Sequence, residues 1–110
     1  MASYFQKRGY TVDVAREREQ AEAFLASVTY AAILLDLRMT AANGIADGLE
    51  ILGFARERCP TARIVVLTAY GTPAAEAEAR ERGADAFLHK PQPLPDLAQL
   101  LVALLGERAS

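Results

Sequence analysis

Two kinds of hydrophobic pattern alternate along the chain. Four stretches are short and strand-like. Residues 10–15 (Tyr-Thr-Val-Asp-Val-Ala) alternate and are rich in β-branched residues, with Asp13 directed to solvent. Residues 32–39 run Ala-Ile-Leu-Leu-Asp-Leu-Arg-Met, four apolar positions followed by Asp36. Residues 63–67 (Arg-Ile-Val-Val-Leu) form a second continuous run, ending at Thr68. Residues 84–88 (Ala-Asp-Ala-Phe-Leu) form a third, ending at His89, Lys90 and Pro91. An unbroken apolar run of this length is the signature of a strand buried on both faces, as in a parallel sheet.

Between the strands the apolar residues recur at helical spacing. Residues 3–8 read as the last turns of a helix stopped by Gly9. Residues 16–27 read as a helix, with Ala21, Phe24, Leu25 and Val28 recurring at helical spacing and Glu and Arg opposite. Residues 40–46, containing Asn43-Gly44, read as a loop. Asp47 is expected to cap the next helix, with Glu50 as its capping-box partner. That helix carries Leu49, Ile51, Leu52, Phe54 and Ala55 and stops before Pro60. Thr72-Pro73 opens an alanine-rich helix ending at Gly83. Pro95 and Asp96 open the last, with Leu97, Leu100, Leu101, Leu104 and Leu105 on its buried face and Val102 and Ala103 beyond it. Strands alternating with helices in this way require an α/β parallel sheet with right-handed crossovers.

The three buried strands deliver a carboxylate (Asp36), a hydroxyl (Thr68) and an ammonium (Lys90) at the same end of the sheet, where open α/β sheets bind ligands. Each residue alone has an ordinary explanation. Aspartate caps helices and turns, threonine bonds nearby backbone, and lysine populates surfaces. Together, the segments Leu-Leu-Asp36-Leu-Arg-Met, Leu-Thr68-Ala-Tyr-Gly and Lys90-Pro91 resemble the receiver domain of two-component response regulators from about residue 9 onward.

The resemblance implies a flavodoxin-like receiver fold, with a parallel sheet and helices on both faces. It implies phosphotransfer to Asp36 from a histidine kinase or a phosphotransfer protein, giving an acyl phosphate assisted by Thr68 and Lys90. Neighbouring strands lie about 4.8 Å apart, so a lysine two strands away spans most of the distance to Asp36. Lys90 is expected to pair with Asp36 in the absence of phosphate and metal. Phe87, three residues before Lys90, stands where family members carry an aromatic switch residue; an ordinary buried strand aromatic is the other reading. In the family, Mg²⁺ is held by an acidic pair on the first strand, the acceptor aspartate, and a backbone carbonyl matching Arg38. The acidic pair, the first strand and most of the first helix have no counterpart in this sequence. Mg²⁺ held by Asp36 and the Arg38 carbonyl alone should bind weakly. The sheet order 2-1-3-4-5 would then have a gap beside the Asp36 strand. Either the flanking strands close that gap or another chain fills it. The segment after Asp36 also departs from the family: Thr40 stands where a proline is usual, and the loop is longer.

Composition narrows the setting. The chain has 110 residues, 52% hydrophobic and 24% charged, which suits one globular domain over residues 1–110. The net charge of -2 argues against nucleic acid as a direct partner. No run approaches the length of a membrane span, and the first residues lack a signal-peptide core. The single Cys59 suits a reducing cytoplasm. His89 stands alone and is assigned no metal role. No glycine-rich phosphate loop follows any strand, which disfavours a flavin or nucleotide site. The sequence thus reads as a cytoplasmic signalling module rather than an enzyme, with no attached output domain, and as a homodimer. The dimer expectation rests on the unpaired sheet edge and on the surplus apolar residues of the last helix, which belongs to a common receiver dimer face. The alternative is a degenerate, phosphorylation-independent interaction module without a competent Mg²⁺ site.

Overall fold

The computed structural model describes residues 2–15, 17–37, 44–69 and 72–109. In chain order its elements are α1 (Ala2–Lys7), α2 (Arg18–Ser27), β1 (Ala32–Leu37), α3 (Gly44–Arg58), β2 (Arg63–Thr68), α4 (Pro73–Glu81), β3 (Ala86–His89) and α5 (Leu94–Ala109). The three strands form one parallel sheet in the order β1-β2-β3.

The apolar runs dictate the layering. Side chains alternate across a strand, so a strand that is apolar throughout feeds two cores. β2 does this: Ile64 and Val66 join Leu25, Leu52, Ala55, Cys59, Ala79 and Phe87 on the face covered by α2, α3 and α4. Val65 and Leu67 join Phe5, Leu97, Ala98 and Leu101 on the face covered by α1 and α5. From Ile64 to Thr68 no residue is more than 2% exposed. β1 divides likewise, with Ile33 and Leu35 to the first core and Ala32 and Leu34 to the second.

Local signals set the helix ends. Gly9 follows α1 with φ +96° and Gly83 follows α4 with φ +112°, left-handed conformations that glycine adopts without a Cβ penalty. Thr72 caps α4, its Oγ1 accepting the Ala75 N–H at 3.1 Å, and Pro73 supplies the first helical residue. α5 buries Leu97 and Leu101 and packs Leu94, Leu100 and Leu104 around them, while Val102 is 61% exposed.

Three expectations need correction. Residues 10–15 are not a strand; among the described residues the sheet contains only β1, β2 and β3. β propensity is realised only against a partner, and this segment forms no ladder with β1. It is held by other means. The Tyr10 N–H donates to the Phe5 carbonyl at 3.2 Å, Tyr10 and Val12 pack on the α5-side core, and the exposed Asp13 accepts the Tyr30 hydroxyl at 2.6 Å. Second, α3 is already helical at Gly44, so Asp47 lies inside the helix and does not cap it. Helical spacing runs back through Asp47, because Ile45, Leu49 and Leu52 belong to one periodic series. Glu50, expected in a capping box, instead pairs with Arg18 at 2.5 Å and ties α3 to α2. Third, Val28 lies past the end of α2 and is 43% exposed, so it leaves the buried face that Leu25 anchors. The loop expected over residues 40–46 falls outside the described residues as far as residue 43.

Candidate functional site

Strand parity brings the two charged members of the expected trio together. Leu34 on β1 and Leu88 on β3 both face the α5-side core, so two residues further on Asp36 and Lys90 point to the same side. The Lys90 Nζ lies 2.5 Å from Asp36 Oδ2, with the two side chains 36% and 34% exposed. The expected direct pairing is therefore present, and it spans the strand that lies between them. A charge-assisted bond at this exposure remains open to solvent and to a ligand.

Thr68 is on that middle strand. Its Cα is in register with Leu37 on one side and His89 on the other, and its side chain shares the parity of Val66, away from Asp36 and Lys90. It is fully buried, and its carbonyl accepts the Lys90 N–H at 2.7 Å. Thr68 thus anchors the lysine's backbone one residue past the end of β3. The Gln92 amide donates to the His89 carbonyl at 2.9 Å, and the Lys90–Pro91 peptide is cis. Phe87 is buried in the α3–α4 core and meets the exposed His89 ring edge-on at 5.8 Å.

The described residues do not make up a Mg²⁺ site. Among them no three His, Cys, Asp or Glu side chains cluster, and the Asp36 carboxylate already carries an ammonium. Arg38, whose carbonyl was expected to contribute, lies outside the described residues.

One charged cluster was not anticipated from the sequence. At the opposite end of the sheet, Arg56 of α3 donates to the carbonyls of Pro60, Ala62 and Gly83 and to Asp85 Oδ2. Arg63 approaches the other Asp85 oxygen at 3.3 Å. The sequence signal was slight: one aspartate at the start of an apolar run, just after a helix-stopping glycine.

A parallel α/β layer with an aspartate and a lysine paired at the C-terminal ends of its strands is the arrangement expected of a receiver domain. Comparison with known proteins agrees. The family model of the response regulator receiver domain matches residues 1–102, and the chain belongs to that family. It is 36% identical over 103 residues to the photosynthetic apparatus regulatory protein RegA of Rhodobacter capsulatus, covering 94% of this chain and 54% of that protein. Among solved structures, a response regulator from Burkholderia pseudomallei, with a phosphorylated aspartic acid, a calcium ion and citrate, superposes with a TM-score of 0.82. It is 28% identical, and the match covers 96% of this chain and 60% of that one. A CheY-like receiver domain from Methanospirillum hungatei superposes with a TM-score of 0.88 at 22% identity, over 98% of this chain and 83% of that one, and shows the shared fold. The chain spans about half the length of the curated relatives it matches first. It is a receiver domain of two-component signalling with the flavodoxin-like receiver fold. Among the described residues, no helix is long and apolar enough to cross a membrane.

Proposed function

We propose that Asp36 is the phosphoryl acceptor of this receiver, taking the group from a phosphohistidine of a histidine kinase or phosphotransfer protein. The reading rests on the 2.5 Å approach of Lys90 Nζ to Asp36 Oδ2 at the C-terminal end of the parallel sheet. A carboxylate oxygen attacks phosphorus, the N–P bond to the imidazole breaks, and the freed nitrogen takes a proton from solvent. Both reactants are anionic, so the step needs positive charge on the transferring oxygens. Lys90 supplies it by passing from the carboxylate to a phosphoryl oxygen. Thr68, once its side chain turns toward Asp36, donates a hydrogen bond to a second. The domain works in the cytoplasm and as a homodimer, with the exposed Val102 on the α5 surface that would meet the partner.

Incubation with a small acyl phosphate and Mg²⁺, read by intact mass, should add one phosphoryl group. Asp36→Asn should abolish it. Equal labelling of that variant would remove Asp36 from the role, and an unlabelled wild type would overturn the phosphotransfer reading altogether.

A further inference from the structure

We propose that Asp85 is a positioning residue for Lys90. Its carboxylate completes the N-terminal end of the β2–β3 ladder and thereby fixes where β3 delivers the lysine. The inference rests on the reading of Lys90 as the group that serves Asp36.

β3 is only four residues long and, among the described residues, pairs with β2 alone. A strand of four residues at the sheet edge makes few ladder bonds of its own. The contacts just outside its ends therefore matter more than those within it. At the far end, the Lys90 N–H is bonded to Thr68. At the near end, the Asp85 N–H donates to the Ile64 carbonyl at 2.8 Å. In the register that pairs Val66 with Phe87 and Thr68 with His89, a regular parallel ladder would continue with the Ile64 N–H reaching the Ala84 carbonyl. Just before it, Gly83, with φ of +112°, turns the chain out of the sheet. The Gly83 carbonyl is taken by Arg56, at 2.6 Å from Nη2 and 3.2 Å from Nε. The Ile64 N–H is met by Asp85 Oδ2 at 2.8 Å. A side-chain oxygen thus stands in for the missing backbone carbonyl.

Arg56 holds that oxygen in place. Its Nη2 is 3.0 Å from Asp85 Oδ2, and its Nη1 is fixed by the carbonyls of Pro60 at 2.9 Å and Ala62 at 2.8 Å. Gly83 leaves just enough room, since a Cβ there would lie 2.7 Å from Arg56 Nε. From Asp85 to Lys90 the strand runs about 17 Å. A slip of one residue, about 3.3 Å, would turn Lys90 to the face opposite Asp36; a slip of two would carry it about 7 Å along the sheet.

Amide hydrogen exchange by NMR, with no phosphodonor present, tests this in Asp85→Ala, Asp85→Asn and Arg56→Lys. Asp85→Ala should speed exchange of the Lys90 amide at least tenfold relative to the β1–β2 ladder amides. Asp85→Asn, which keeps an acceptor for Ile64, should return it to within about threefold of wild type. Arg56→Lys keeps the charge but loses the fork, so it should give a smaller rise confined to β3, and it serves if Asp85→Ala does not fold. An unchanged Lys90 amide, an equal rise across all three strands, or no rescue by asparagine would each overturn the proposal. Because no phosphoryl group is involved, a failure here is separate from a failure of Asp36 to label.

Discussion

Tyr30 shows how a single contact substitutes for a missing ladder. Its hydroxyl donates to Asp13 at 2.6 Å and holds residues 10–15 against the residues that lead into β1. Burial, and then the bond to Asp13, push the Tyr30 pKa up to about 12. A folded value above the unfolded one means that the protonated form favours the native state. This contribution is fully present below about pH 10, the unfolded value, and is lost as pH rises through about 12. Denaturant titrations of wild type and Tyr30→Phe should therefore differ below pH 10 and converge toward pH 12. A constant gap across that window would refute the link. The two left-handed glycines make a second residue-level comparison. A Cβ at Gly9 would meet nothing within 4 Å, whereas one at Gly83 collides with Arg56. Gly9→Ala should cost only the backbone strain, about 1–2 kcal/mol. Gly83→Ala should cost clearly more by chemical denaturation, because Arg56 must give up part of its carbonyl cradle.

Among the elements, the helices differ in what they stake on the core. Leu52 of α3 and Leu97 of α5 are at most 1% exposed on opposite faces of the sheet. Truncating either to alanine should cost about 2–5 kcal/mol, as for other large-to-small core changes. Val102→Ser on the outer side of α5 should change the stability of the isolated fold by less than about 0.5 kcal/mol. The elements that could be read from sequence are those whose neighbours the pattern itself names. The runs at Ile33–Leu35 and Ile64–Leu67 need cover on both faces, and periodic helices lie on either side of each in the chain. Residues 10–15 misled because their alternation describes a strand's chemistry and says nothing about whether an edge is available. Asp47 misled because a capping pattern inside a longer periodic run is still only a pattern. The pairing of Asp36 with Lys90 was legible because the receiver resemblance named both residues and strand spacing and lysine length allow them to meet. The Arg56–Asp85 clasp was not, since it depends on where a turn directs one carbonyl.

At the scale of the whole molecule, the sheet has two chemically distinct ends. The C-terminal ends of the strands present the half-exposed Asp36–Lys90 pair, while the N-terminal ends are closed by Arg56, Arg63 and Asp85. If the domain works as a homodimer, sedimentation across a wide concentration range should show a mass that falls on dilution, and Val102→Asp should shift the balance toward monomer without unfolding it. A compact monomer at every concentration would remove dimerisation from the proposal.

β2 also sets the terms on which this chain can drift. From Ile64 to Thr68 every side chain is enclosed, and each face of the strand answers to a different set of helices. A substitution there cannot be relieved by turning the residue outward, since both directions are filled, nor by a local shift of the strand, since that would disturb both neighbours at once. In a library of all single substitutions selected for folding, these five consecutive positions should tolerate only residues of nearly the same volume. Thr11, Val14 and Ala15, which are exposed, should accept almost anything. The molecule's freedom to change is therefore graded across its width, least at the middle strand and greatest at the margin.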